Sequence, residues 1–194
     1  MKKILSYSLM LMVALATGAF AEDKVGESPY YPTKIGTTWT YRIGEKKLTQ
    51  KVTKHEKQGN YFCARIETIV DGNTVATEHI HVAKDGLYRV AYNGEMPDKP
   101  VMFFKLPPKT GESWNVEAKV ANESVKGKFT ISKEKVKVPA GEIDSFLSKG
   151  DFDVNGQAAK FNYWITEGKG IVKLEMAVGG QSFAIELEKF EEGQ

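Results

Sequence analysis

Pro32-Thr33-Lys34-Ile35-Gly36-Thr37-Thr38-Trp39-Thr40-Tyr41-Arg42-Ile43 is the stretch that decides the fold. In its second half Trp39, Tyr41 and Ile43 alternate with Thr38, Thr40 and Arg42, the period-two pattern of a half-buried strand. Its first half returns 75 residues later as Pro107-Pro108-Lys109-Thr110-Gly111-Glu112-Ser113-Trp114. Both copies read Pro-x-Lys-x-Gly-x-Ser/Thr-Trp. A recurring supersecondary unit constrains architecture before any single residue is weighed.

Strand patterning continues outward from this stretch. Phe62, Ala64, Ile66 and Val70 alternate with Cys63, Arg65, Glu67 and Ile69, and Asp71-Gly72 then supplies the positive-φ pair of a tight hairpin. Asp85-Gly86 is read as the same device before residues 87–92. The second half replays the order: Phe146 stands nine residues before Asn155-Gly156, as Phe62 stands nine before Asp71-Gly72. No helical period is evident after the first residues. The expectation is an all-β antiparallel meander of about ten strands with few helices, forming a curved half-barrel or barrel by internal duplication. The repeat units span about residues 31–94 and 104–180, within one β domain over 31–190. Residues 93–100 read as a loop and Val101-Met102-Phe103-Phe104 as a buried strand. Residues 22–30 are expected to be a flexible lead, and the last four residues to fray.

Residues 1–21 read as an export signal: Lys2 and Lys3, an apolar stretch over 4–16, and Ala19-Phe20-Ala21 as the cleavage site. That stretch falls short of the ~20 residues needed to span a bilayer, so no stable membrane anchor is expected after cleavage. The implied location is the bacterial periplasm or the exterior. The chain has 27 Lys+Arg and 25 Asp+Glu; removing the signal takes two lysines and no acids, leaving 25 of each sign. A neutral mature chain has no global field to draw it to nucleic acid, and no nucleic-acid partner is expected. Cys63 is the only cysteine, so stability has to come from an apolar core and not from an internal disulfide.

Several landmarks carry a resemblance: Gly36-x-x-Trp39-x-Tyr41, then Val136-Lys137-Val138-Pro139-Ala140-Gly141, then Tyr163-Trp164 leading to Gly168-Lys169-Gly170-Ile171-Val172. The chain resembles a broad group of exported, largely uncharacterised bacterial β-proteins that share this Trp-x-Tyr, Val-Pro-Ala-Gly and Tyr-Trp…Gly-x-Val pattern. Some relatives are thought to have the half-barrel of periplasmic lipoprotein carriers. The resemblance implies a concave apolar face and brings no catalytic residues with it. The chain departs from the carriers in lacking clear helices to line that concavity.

Candidate chemistry is sparse. His79 and His81 project from one strand face with metal-ligand spacing, and a third ligand would come from His55, Glu67 or Asp85. The alternative is a solvated sheet face. The pairs Asp151/Asp153 and Glu186/Glu188 read as solvated carboxylates. Nothing nominates a nucleophile with its base, so no catalytic residue and no cofactor is assigned. Tyr163 and Trp164 are adjacent on a strand and must point to opposite faces, so one ring leaves the main core. With Phe103 and Phe104 it would line an apolar pocket or partner surface. The leading expectation is an exported, non-enzymatic protein holding an apolar small molecule or an envelope protein on a concave sheet. The alternatives are an envelope structural module without a ligand, and a metal-binding protein or metal-dependent enzyme using His79 and His81.

Overall fold

The computed structural model describes residues 24–194, so the export-signal reading of residues 1–21 lies outside the described residues. Twelve strands follow in chain order: β1 (Thr38–Ile43), β2 (Lys46–Gln58), β3 (Tyr61–Val70), β4 (Asn73–Val82), β5 (Gly86–Tyr92), β6 (Val101–Lys105), β7 (Ser113–Val120), β8 (Glu123–Val138), β9 (Gly141–Val154), β10 (Gln157–Thr166), β11 (Gly170–Val178) and β12 (Gln181–Glu191). No helix occurs among the described residues. The sheet order is β6-β5-β4-β3-β2-β1-β12-β11-β10-β9-β8-β7, antiparallel throughout. Consecutive strands thus pair throughout except β6 with β7, and the two ends of the chain meet where β1 pairs β12. The all-β meander is as expected, with twelve strands in place of ten; the two repeat spans leave out most of β6 and all of β12.

The sheet curls into a nearly closed barrel whose remaining seam lies between β6 and β7. Side chains and a short bridge close it where no ladder does. Trp114 Nε1 donates to the Met102 carbonyl at 3.0 Å, and Ser148 Oγ reaches across the interior to the Phe103 carbonyl at 2.8 Å. Beside them Asp98 N donates to Lys119 O at 2.9 Å, and Pro97 bridges to Val120. Phe103 is the extra residue of a β-bulge, since Leu87 faces Phe104 and Tyr88 faces Met102. A bulge frees a carbonyl from the ladder, and Ser148 satisfies it.

Trp39 and Trp114 are the second residues of β1 and β7. Equivalent core packing is expected of them, yet Trp39 is buried and Trp114 only half-buried. The cause is pairing: β1 is flanked by β2 and β12, whereas β7 borders the seam and lacks a second ladder.

One end of the barrel is sealed. The segment before β1, expected to be a flexible lead, crosses that end from residue 24 onward. Val25 and Tyr31 are buried, Gly168 N donates to the Pro29 carbonyl at 2.7 Å, and Tyr30 packs against Phe104 and Phe146. Burial of apolar side chains together with backbone pairing outweighs the entropy that keeps most termini loose. The chain's last residues are held too: Gly193 N donates to Thr37 Oγ1 at 3.0 Å.

The turns divide by chemistry. Asp71-Gly72 and Asn155-Gly156 have positive φ at both residues, as a two-residue hairpin requires. Asp85-Gly86 does not form such a pair. Gly86 is already in β5, where a Cβ would come within 2.9 Å of the Phe104 carbonyl oxygen; glycine permits the approach of β6.

Candidate functional site in the barrel lumen

Inward-facing side chains fill the lumen unevenly. Toward the sealed end Trp39, Tyr41, Ile66, Ile80, Leu87 and Phe103 are buried and packed. Next comes a polar belt. Arg89 (β5) donates from Nε to Glu78 Oε2 at 2.8 Å, with Nη2 also 2.7 Å from that oxygen. Its Nη1 donates to Tyr163 Oη (β10) at 3.3 Å, and Gln50 Nε2 (β2) donates to Glu78 Oε1 at 3.4 Å. The belt therefore runs from β2 through β4 and β5 to β10. The Arg89 and Glu78 side chains are only 27% and 13% exposed. Burial works against the charge on Arg89, but Glu78 and Tyr163 outweigh it and hold its pKa above the ordinary guanidinium value.

Beyond the belt lies an apolar cavity of about 170 Å³. Phe103, Phe129, Phe152, Phe161 and Tyr163 give it an aromatic wall, Ala91, Val101, Val120 and Val125 complete it, and it reaches the surface beside Tyr92 and Glu95. Two mid-strand glycines make the wall possible. Gly150 pairs with Phe129 and Gly127 with Phe152, and a Cβ at either glycine would overlap those rings. The rings can therefore lie over the sheet, with Phe129 and Phe152 edge-on at 4.9 Å between centroids. Larger hollows on the outside, such as the one of about 480 Å³ beside Tyr30 and Phe146, are lined by Lys133, Glu134, Lys135, Asp144 and Glu167 and suit an apolar molecule less well.

Of the four aromatic candidates, Phe103 and Tyr163 line this cavity and Phe104 and Trp164 do not. Phe104 packs with Tyr30 and Phe146 at the sealed end. Trp164 lies on the outer face of β10 beneath an arm formed by β8 and β9. Beyond Ile131 and before Phe146 those two strands form a ladder only with each other, and the arm folds back onto the barrel. Its turn donates Ala140 N to the Leu187 carbonyl at 2.9 Å, its Glu134 accepts from Trp164 Nε1, and Val136 and Val138 are buried. The Val-Pro-Ala-Gly turn thus ties the arm to β12, and Trp164 of the Tyr-Trp pair ties it to β10 through Glu134. The Gly168-Lys169-Gly170 turn holds the sealed end, where Lys169 O accepts from Trp39 Nε1.

His79 and His81 share the outer face of β4 but are committed to separate partners. His79 Nε2 is 2.9 Å from Glu56 Oε1, and His81 Nδ1 is 2.9 Å from the Phe62 carbonyl. No group of three or more His, Cys, Asp or Glu side chains is arranged to hold a metal among the described residues. Glu186 pairs with Lys173, and Glu188 with Arg42 and Lys47, as surface ion pairs.

Arg89, Glu78, Gly127 and Gly150 were not singled out from the sequence, although each carried a signal. Glu78 shares the parity of Ile80 and Val82, and Arg89 that of Leu87, so a charge stood on an apolar face of each strand. A glycine inside a strand marks close approach.

No protein-family model matches the chain, and no curated protein matches it. Two solved structures share its fold. One is a protein classed as exported, with a YmcC-like fold, from Bacteroides fragilis NCTC 9343: TM-score 0.54 and 14% identity, covering 84% of this chain and 99% of that one. The other is a protein classed as a lipoprotein from Parabacteroides distasonis ATCC 8503: TM-score 0.51 and 13% identity, covering 86% and 100%. At these identities the likeness establishes a shared fold alone.

Proposed function

We propose that this chain is an exported, non-enzymatic binding protein that holds an apolar small molecule inside its barrel. The observation carrying this reading is the aromatic-walled cavity of about 170 Å³, which reaches the surface at one end while the N-terminal segment seals the other. A packed barrel serving only as a scaffold gains nothing from such a void, because unfilled volume forfeits dispersion contacts. The export signal read in residues 1–21 and the exported and lipoprotein classes of the two structural neighbours support a location outside the cytoplasm. Mass measurement of the protein isolated from its producing cell should give an N-terminus at Glu22. We further read β1–β6 and β7–β12 as two copies of one unit, on the matched places of Trp39 and Trp114.

Calorimetric melting with and without toluene tests the binding reading. A ligand that enters only the folded state raises the melting temperature, and Val125→Trp, which fills the cavity, should abolish that rise. An equal rise in both proteins would refute lumenal binding. One observation favours an interaction module instead: Val75, Tyr92 and Phe183 are exposed apolar side chains near the open end.

A further inference from the structure

We infer that the lumen selects an uncharged molecule about the size of one aromatic ring that carries a single hydrogen-bond acceptor, and that Tyr163 Oη is the donor that recognises it. This inference rests on the binding reading above. Size comes first. A cavity of about 170 Å³ is close to the ~150 Å³ that admits benzene and well below the ~300 Å³ at which drug-sized pockets begin. A whole long-chain lipid does not fit there.

Charge comes second. The cavity's polar end presents Arg89, which invites an anion at first sight. Its guanidinium is already neutralised by Glu78 through two contacts of 2.7 and 2.8 Å to one carboxylate oxygen. An incoming carboxylate would be desolvated beside Glu78, with Glu95 also lining the cavity, and would gain only a shared cation. An incoming ammonium would face Arg89. Neither sign is favoured.

Hydrogen bonding comes third. Tyr163 Oη accepts from Arg89 Nη1 at 3.3 Å, which orients the phenol and leaves its own proton available; among the described residues it donates to no protein acceptor. Tyr163 lines the cavity beside Phe103 and Phe129, with ring centroids 5.2 and 6.0 Å away. A ketone, aldehyde or ester oxygen on a small ring can accept that proton while the ring packs on the aromatic wall. Polarisation by Arg89 strengthens the phenol as a donor.

The test compares para-fluoroacetophenone, para-fluorobenzoate and para-fluorotoluene by fluorine NMR titration on the wild-type protein, Tyr163→Phe and Val125→Trp. The ketone should bind wild type about fivefold tighter than the toluene, and that advantage should vanish in Tyr163→Phe without loss of toluene binding. The benzoate should bind at least tenfold more weakly than the ketone, and Val125→Trp should exclude all three. Toluene binding with no preference for the ketone, or benzoate binding tightest, overturns the inference while leaving the binding reading intact. Failure of all three probes to bind wild type overturns both.

Discussion

Breaking the buried ion pair in the lumen should be costly, and removing it entirely should be cheaper. In Arg89→Met the Glu78 carboxylate loses its two guanidinium contacts and keeps only the 3.4 Å bond from Gln50. Stranding one member of a fully buried pair costs about 3–5 kcal/mol. Because the Arg89 and Glu78 side chains are 27% and 13% exposed, solvent screening places the expected loss at the lower end, about 3 kcal/mol. Glu78→Met should cost a similar amount by stranding the cation. The double variant removes both charges, leaves Gln50 and Tyr163 short of one partner each, and should cost about 1–2 kcal/mol, less than either single change. Urea unfolding followed by tryptophan fluorescence reads this directly. With a slope of about 2 kcal/mol/M, each single variant should shift the midpoint down by roughly 1.5 M and the double by less than 1 M. A double variant as unstable as the two single losses added together would show that the pair is not a coupled buried unit, and the electrostatic reasoning about the lumen would fail with it.

Other consequences are as direct. Trp164→Ala should destabilise by about 3–5 kcal/mol, because the indole is buried under the β8–β9 arm, and denaturant unfolding measures it. Gly150→Ala places a methyl into the Phe129 and Phe152 rings, and should cost stability while reducing toluene binding in the same preparation. Burial pushes the Cys63 thiol up to about 12, so the folded protein should resist thiol reagents at pH 8 and react at the rate of unfolding. Glu56 is held down to about 2, chiefly by its bond to Lys54, with His79 adding and burial opposing. A folded value below the ordinary 4.5 means that this stability is present above about pH 4.5 and disappears as pH falls toward 2. Glu56→Gln should therefore flatten the acid limb of the stability profile in that window; an unchanged limb would contradict the assignment.

Local patterning carried most of the architecture. Alternation around Trp39, the Asp71-Gly72 and Asn155-Gly156 turns and the Val101–Phe104 run are signals of residues near in sequence, and the barrel uses each of them. What stayed illegible depends on distant contacts. Nothing in residues 24–31 announces that they cross the sealed end, because their partners are Phe104, Phe146 and Gly168. The same holds for the arm: Pro139-Ala140 reads as a turn, and only the fold shows it clasped to Leu187. For the candidate site, the adjacent Tyr163 and Trp164 are divided between lumen and exterior, as strand geometry requires. Tyr163 faces the cavity with Phe161, and Trp164 lies under the β8–β9 arm. The Arg89–Glu78 pair needed β4 and β5 in register, including the bulge at His79/Ile80 that sets Ile80 opposite Arg89.

Methyl-labelled NMR during a toluene titration distinguishes binding in the lumen from binding in an outer hollow. Lumenal binding gives saturable shifts concentrated at Ala91, Val101, Val120 and Val125. Shifts absent from those four methyls, or centred on Ala177 and Ala184 in the outer hollow beside Phe183, would contradict it.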